Sequence, residues 1–118
     1  AYDFNSGVGA VDHLTTMAQP PSALFCANDA TAIGALWRCR KLGIGVPQQL
    51  SVVGIDDIAD AAISEPPLTT IRQPRHKLGA TGMSVLIDLI DGRHASDIDI
   101  VLPHELVVRA STAAPAYS

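Results

Sequence analysis

Residues 22 to 57 read SALFCANDATAIGALWRCRKLGIGVPQQLSVVGIDD, and this stretch limits the fold to very few choices. It holds two apolar runs, ALFC and SVVGI, neither with polar alternation, which is how parallel strands covered on both faces read. Between them Ile33, Leu36, Trp37 and Leu42 recur at helical spacing, and Arg38, Arg40 and Lys41 fall late, where cations suit the helix dipole. Asp29 is placed as an N-cap, Gly43 and Gly45 permit a left-handed C-cap and a turn, and Pro47 prevents continuation. Strand, helix, strand make one βαβ unit, so the class is α/β. The first strand is expected to run for about five residues through ALFCAND.

Both strands end in adjacent polar residues: Asn28 and Asp29 on one, Asp56 and Asp57 on the other. Open parallel sheets bind ligands at the carboxyl ends of their strands, so these four residues line one candidate edge. Asn offers donors and an acceptor, while an ionised Asp offers acceptors only, a set suited to hydroxyl-bearing ligands such as sugars. Asp and Asn after a strand are also common caps and turn formers. That explanation fits Asp29 and Asp57 better than Asn28 and Asp56.

The flanking segments complete the outline. Residues 6 to 18 carry Val8, Val11, Leu14 or Thr15, and Ala18 at helical spacing, with Ser6 as the expected N-cap and the prolines at 20 and 21 as the stop. The proline-punctuated stretch from Ile58 to Pro74 has room for one helical turn and a brief strand around Leu68 to Ile71. RHKLGATGMSVLIDLIDG is the longest helix. Leu78, Gly82, Val85, Leu86 and Leu89 share one side, and Met83, Ile87 and Ile90 widen it, a stripe broad enough for core on one flank and a subunit interface on the other. A last strand is expected over Leu106 to Arg109.

Composition narrows function mostly by exclusion. With 118 residues, 47% of them hydrophobic and 17% charged, the chain fits one globular domain or part of a larger one. A net charge of −4 with only scattered basic residues offers no phosphate-neutralising surface. Cys26 and Cys39 form no CxxC pair and read as buried thiols in a reducing compartment. The opening AYDFNSG has neither a basic n-region nor an apolar h-region, and no run approaches the roughly 18 apolar residues of a membrane span. A soluble, cytoplasmic protein is expected. His13, His76, His94 and His104 share no metal spacing. Gly7 and Gly9 give G-x-G, but Asp12 stands where a third glycine would be needed. No catalytic, cofactor or metal site is expected, although an α/β enzyme using Asp56 remains an alternative at this level.

ALFCAND followed by ATAIGAL, then LGIGVPQQLSVVGIDD, PPLTTIRQP and LPHELVVRAST resemble, in that order, the C-terminal part of LacI/GalR-family transcriptional repressors. The resemblance runs from about Tyr2 to Thr112. It implies a partial periplasmic-binding-protein-like (type I) sensor fold occupying 1–112. Residues 1–57 and 101–112 would belong to the C-terminal subdomain, 58–100 to the crossover and N-terminal subdomain, and 113–118 to a tail. It also implies a small, sugar-like effector met by Asn28 and Asp56, with Tyr2 stacking on it and Asp29 either capping or contacting. The helix from Arg75 to Ile90 would lie near a homodimer interface. Operator DNA would be bound only through an N-terminal helix-turn-helix that these residues lack. A periplasmic-type sugar-binding protein is the main alternative, since such proteins share the strand-Asn-Asp and Gly-x-Asp themes.

Overall fold

The computed structural model describes residues 2–93 and 98–115; His94 and the tail residues 116–118 lie outside them. The elements follow in the order α1 (Phe4–Leu14), β1 (Ala23–Phe25), α2 (Asp29–Leu42), β2 (Ser51–Ile55), α3 (Ala59–Ile63), β3 (Thr69–Arg72), α4 (Arg75–Ile90) and β4 (Glu105–Val107). The chain divides into two compact units, one of Ala1–Arg72 with Leu106–Ser118 and one of Gln73–Glu105.

In the first unit the sheet order is β1-β2-β3-β4, with β1 parallel to β2 and β2 parallel to β3. The β1–α2–β2 unit therefore forms as its apolar runs require. Gly43 closes α2 at φ 73°, and the amide of Ile44 reaches back to the carbonyl of Cys39 at 2.9 Å, so a residue without Cβ is needed there. Val11, Leu36, Cys39, Leu50, Val52 and Leu68 form the heart of a core between the helices and the sheet. The expectation of two fully covered strands holds in part for β2, where Val52 is buried and Val53 and Ile55 are half-buried, and not for β1. Being an edge strand, β1 leaves Phe25 65% exposed.

Three boundaries differ from the sequence-based expectation for local reasons. α1 starts at Phe4 because Asp3, not Ser6, is extended and accepts the Ser6 amide on Oδ1 at 2.8 Å. It ends at Leu14, where the hydroxyls of Thr15 and Thr16 bond back to the carbonyls of Asp12 and His13. The β1 ladder is three residues long, extended by one bond from the Cys26 amide to the Val53 carbonyl at 2.8 Å. β4 is centred one to two residues before Leu106–Arg109, since the chain beyond it bonds as a separate strap. Ser111 is fully buried, donates its hydroxyl to the Val52 carbonyl at 2.6 Å and accepts the Thr69 amide at 2.8 Å.

Gly7 is a packing residue rather than part of a nucleotide loop. A Cβ on Gly7 would collide with the carbonyl oxygen of Thr31, and one on Gly34 with that of Phe4, so α1 and α2 touch backbone to backbone at both points. Phe4 and Trp37 sit at a ring-centroid distance of 5.7 Å, and Arg38 Nε donates to Asp12 Oδ1 at 2.6 Å across the same helix pair.

The second unit is α4 with the chain that follows it. None of the residues of α4 is buried, so the broad stripe has core on neither flank within the described residues. Leu78, Gly82 and Val85 line a shallow cavity of about 260 Å³ together with Ile98, Ile100 and Leu102. Met83, Leu86, Ile87 and Ile90 are exposed.

Candidate functional site

The β1–β2 register pairs Ala23 with Ser51, Leu24 with Val52 and Phe25 with Val53. The ladder ends at Phe25, and α2 then carries Asp29 over β2, where its Cα lies 3.2 Å from the place a Cβ on Gly54 would take; Asn28 follows β1 and Asp56 follows β2 at the same end of the sheet. The two polar pairs thus leave the sheet side by side at its carboxyl edge, and Arg72 ends β3 beside them.

Within each pair the two residues do different work. Asn28 is the N-cap of α2: its backbone is extended and its Oδ1 accepts the Thr31 amide at 2.9 Å. Asp29, expected to be the cap, is instead the first helical residue, because the extended backbone that capping requires sits one position earlier. Its carboxylate is fully buried. Oδ1 accepts the Thr70 hydroxyl at 2.6 Å and Oδ2 accepts the Ile58 amide at 2.9 Å. Asn28 still has bonding capacity, because an amide oxygen has two lone pairs and the NH₂ two protons. Nδ2 uses one proton on the carbonyl of Tyr2 at 2.9 Å, which ties Tyr2 to this edge while the Tyr2 residue stays 75% exposed.

The second pair lies in unusual backbone. Asp56 has φ 124° and Asp57 φ 56°, two consecutive non-glycine residues in the left-handed half of the map. Asp56 donates its amide to the Ile71 carbonyl at 2.9 Å, and its residue is half-buried. Asp57 does bend the chain, but its carboxylate also holds two guanidinium groups. Oδ1 accepts from Arg109 Nη2 at 2.6 Å and Oδ2 from Arg72 Nε at 2.7 Å. Those hydrogen bonds, from Arg109 first and Arg72 second, hold its carboxyl below the usual carboxylate range. Arg109 in turn donates to the Leu68 carbonyl at 2.9 Å.

Sequence reasoning picked out the edge but missed Thr70, Arg72 and Arg109. These lie in the TTIRQP and VRAST segments, which stood out only as family-like motifs; their partners are 15 to 52 residues away in the chain. The cavities of about 340 and 490 Å³ in the first unit belong elsewhere. The former opens beside the residues preceding β1 and β2, lined by Val11, Leu14, Pro21, Ser22, Ile44 and Leu50, away from the polar edge. Cys26 and Cys39 are buried free thiols, and burial pushes Cys26 up to about 11, with Asp29 and Cys39 adding to the shift. Among the described residues, no helix is long and apolar enough to cross a membrane.

A parallel α/β sheet with paired Asx residues at its carboxyl edge and a segment that leaves and rejoins the unit defines a periplasmic-binding-protein-like domain. The chain belongs to that family, whose profile, described as a periplasmic binding protein-like domain, matches residues 1–112. Its relatives are LacI-type transcriptional regulators. The HTH-type transcriptional repressor CytR of Escherichia coli K12 is 39% identical over 113 residues, covering 96% of this chain and 33% of that repressor. The Lac repressor dimer bound to operator and the anti-inducer ONPF superposes with a TM-score of 0.86 at 36% identity, over 95% of this chain and 39% of that one. The transcriptional regulator CelR in complex with cellobiose gives 0.85 at 35% identity, over 93% and 34%. The chain spans about a third of the length of the curated relatives it matches.

Proposed function

We propose that these residues are the effector-sensing part of a LacI-type DNA-binding regulator. They would bind a small, sugar-like molecule at the carboxyl edge of the sheet and so change operator binding by the intact dimer, a population shift between two states. The protein is a cytoplasmic regulator in this reading, not an enzyme. The observation that carries it is that Asn28 follows β1 and Asp56 follows β2, two adjacent parallel strands, so both leave the sheet at its carboxyl edge. Asn28 keeps one donor and one acceptor for a ligand, and Asp56 supplies a carboxylate beside it. Tyr2, bonded to Asn28 through its carbonyl, contributes an exposed aromatic ring for stacking on a sugar face. Asp29 contributes indirectly, since both its oxygens are bonded within the fold. A relative solved with cellobiose supports the sugar-like class.

The test is a thermal-shift screen of mono- and disaccharides, cellobiose included, on the full-length protein, followed by calorimetry on the strongest hit. Asp56→Ala is expected to weaken that hit by about 2 kcal/mol, roughly thirtyfold in Kd. Unchanged affinity with the fold intact would remove Asp56 from the site.

A further inference from the structure

Asp56 and Asp57 occupy backbone that L-residues avoid, at φ 124° and 56°. Such conformations persist only where the surroundings over-determine them. The chain here is pinned on both sides. Before the bend, the Asp56 amide is bonded to the Ile71 carbonyl at 2.9 Å; after it, the Ile58 amide is bonded to Asp29 Oδ2 at 2.9 Å.

The second pin is an expensive arrangement. Asp29 is fully buried, and the hydrogen bonds to its carboxylate come from two neutral groups, the Thr70 hydroxyl and the Ile58 amide. Room for it exists because residue 54 is glycine: a Cβ there would collide with Asp29 Oδ1 and lie 3.1 Å from Leu68 Cδ2. Capping of α2 does not account for this carboxylate, since Asn28 already performs that role. Helix-dipole stabilisation does not require Asp29 to reach Ile58 either. What the carboxylate does is tie the first turn of α2 and the middle of β3 to the amide two residues beyond Asp56.

We propose that Asp29 is a positioning residue: its buried carboxylate, anchored on Thr70, grips Ile58 and holds Asp56 in the left-handed backbone from which it meets an effector. This rests on the reading of Asp56 as the effector-facing group. The binding group is then preorganised, so the unfavourable backbone is settled in folding rather than on binding.

Hydrogen exchange on the full chain without ligand tests the grip. Asp29→Ala is expected to speed exchange of the Ile58 amide at least about tenfold, the change expected for loss of a charge-assisted hydrogen bond, while the Leu36 and Cys39 amides of α2 hold. Asp29→Asn preserves the shape, with its oxygen accepting from Ile58 and its NH₂ donating to Thr70, and should stay within about threefold of wild type. Thr70→Val, which removes only the anchor, should give an intermediate rise and serves if Asp29→Ala fails to fold. A stability cycle then separates positioning from plain packing. Asp56→Gly relieves the backbone and also removes the Asp56 side chain, so the readout is a difference: its effect on Tm should be about 2 °C more favourable in the wild-type background than where Asp29→Ala or Thr70→Val has freed the bend. Unchanged Ile58 exchange in Asp29→Ala and Thr70→Val, or the same effect of Asp56→Gly in every background, overturns the proposal. Failure of the effector reading appears separately, as Asp56→Ala with undiminished cellobiose or screen-hit affinity and an intact exchange pattern.

Discussion

Asp57 offers the sharpest quantitative test of how the carboxyl edge is held. Its side chain is 10% exposed, and its two partners differ: Arg109 is 17% exposed and Arg72 50%. The Arg72 bond reaches well into solvent and contributes at most about 1 kcal/mol. The Arg109 bond is shielded, so removing its carboxylate costs about 2 kcal/mol, part of it from a guanidinium left underpaired. Alanine at φ 56° adds about 1 kcal/mol of backbone cost that aspartate partly escapes through local hydrogen bonding. Asp57→Ala should therefore destabilise by about 3 to 4 kcal/mol. Asp57→Gly loses the same charges without the backbone cost and should destabilise by about 1 kcal/mol less. Asp57→Asn keeps an acceptor and tolerates the bend, so it should be the mildest, at about 1.5 kcal/mol. Urea melts of the full chain read these differences directly. Because the arginines lower the folded pKa of Asp57, its contribution is complete above the ordinary carboxylate range and disappears as the pH falls through the lowered folded value. The gap between wild type and Asp57→Asn should thus be constant near neutrality and close in acid. Equal losses for Ala, Gly and Asn, or a gap indifferent to acid, would refute the ion-pair account.

Gly54→Ala should cost about 3 kcal/mol, since the new methyl displaces a carboxylate that has no free volume between α2 and β3; a denaturation midpoint within error of wild type would count against the packing described. Gly7→Ala is expected to separate α1 from α2 and lower stability by about 2 kcal/mol, with the Phe4–Trp37 contact weakened and visible as a change in Trp37 fluorescence. Cys26, with its thiol raised to about 11 by burial, should resist thiol-disulfide reagents at pH 8 until the chain unfolds; rapid labelling of the native protein at Cys26 would contradict its burial.

The parts of this fold that sequence made legible are those fixed by neighbours in the chain. The β1–α2–β2 unit follows from two apolar runs, a helical period and the Gly43 stop, each a local matter. What escaped was everything decided by partners far along the chain. Asn28 and Asp29 are equally good capping residues on paper. They are told apart by Thr70, 41 residues on, and Ile58, 29 residues from Asp29, which claim the second of them for the interior. The stripe of α4 was legible as apolar but not as unpacked, because a hydrophobic face says only that something can cover it. Asp56 and Asp57 follow β2 as Asn28 and Asp29 follow β1. In each pair the second residue's carboxylate is bonded within the fold, Asp29 on Thr70 and Ile58, Asp57 on Arg72 and Arg109, while of the first residues Asn28 caps α2 and bonds the Tyr2 carbonyl. Two strands ending in the same two-residue pattern make the second member of each pair an internal support. Stability should accordingly fall further on alanine substitution at 29 or 57, where each carboxylate holds two partners, than at 28, where a helix cap worth about 1 kcal/mol is at stake; urea melts of the three variants check this order.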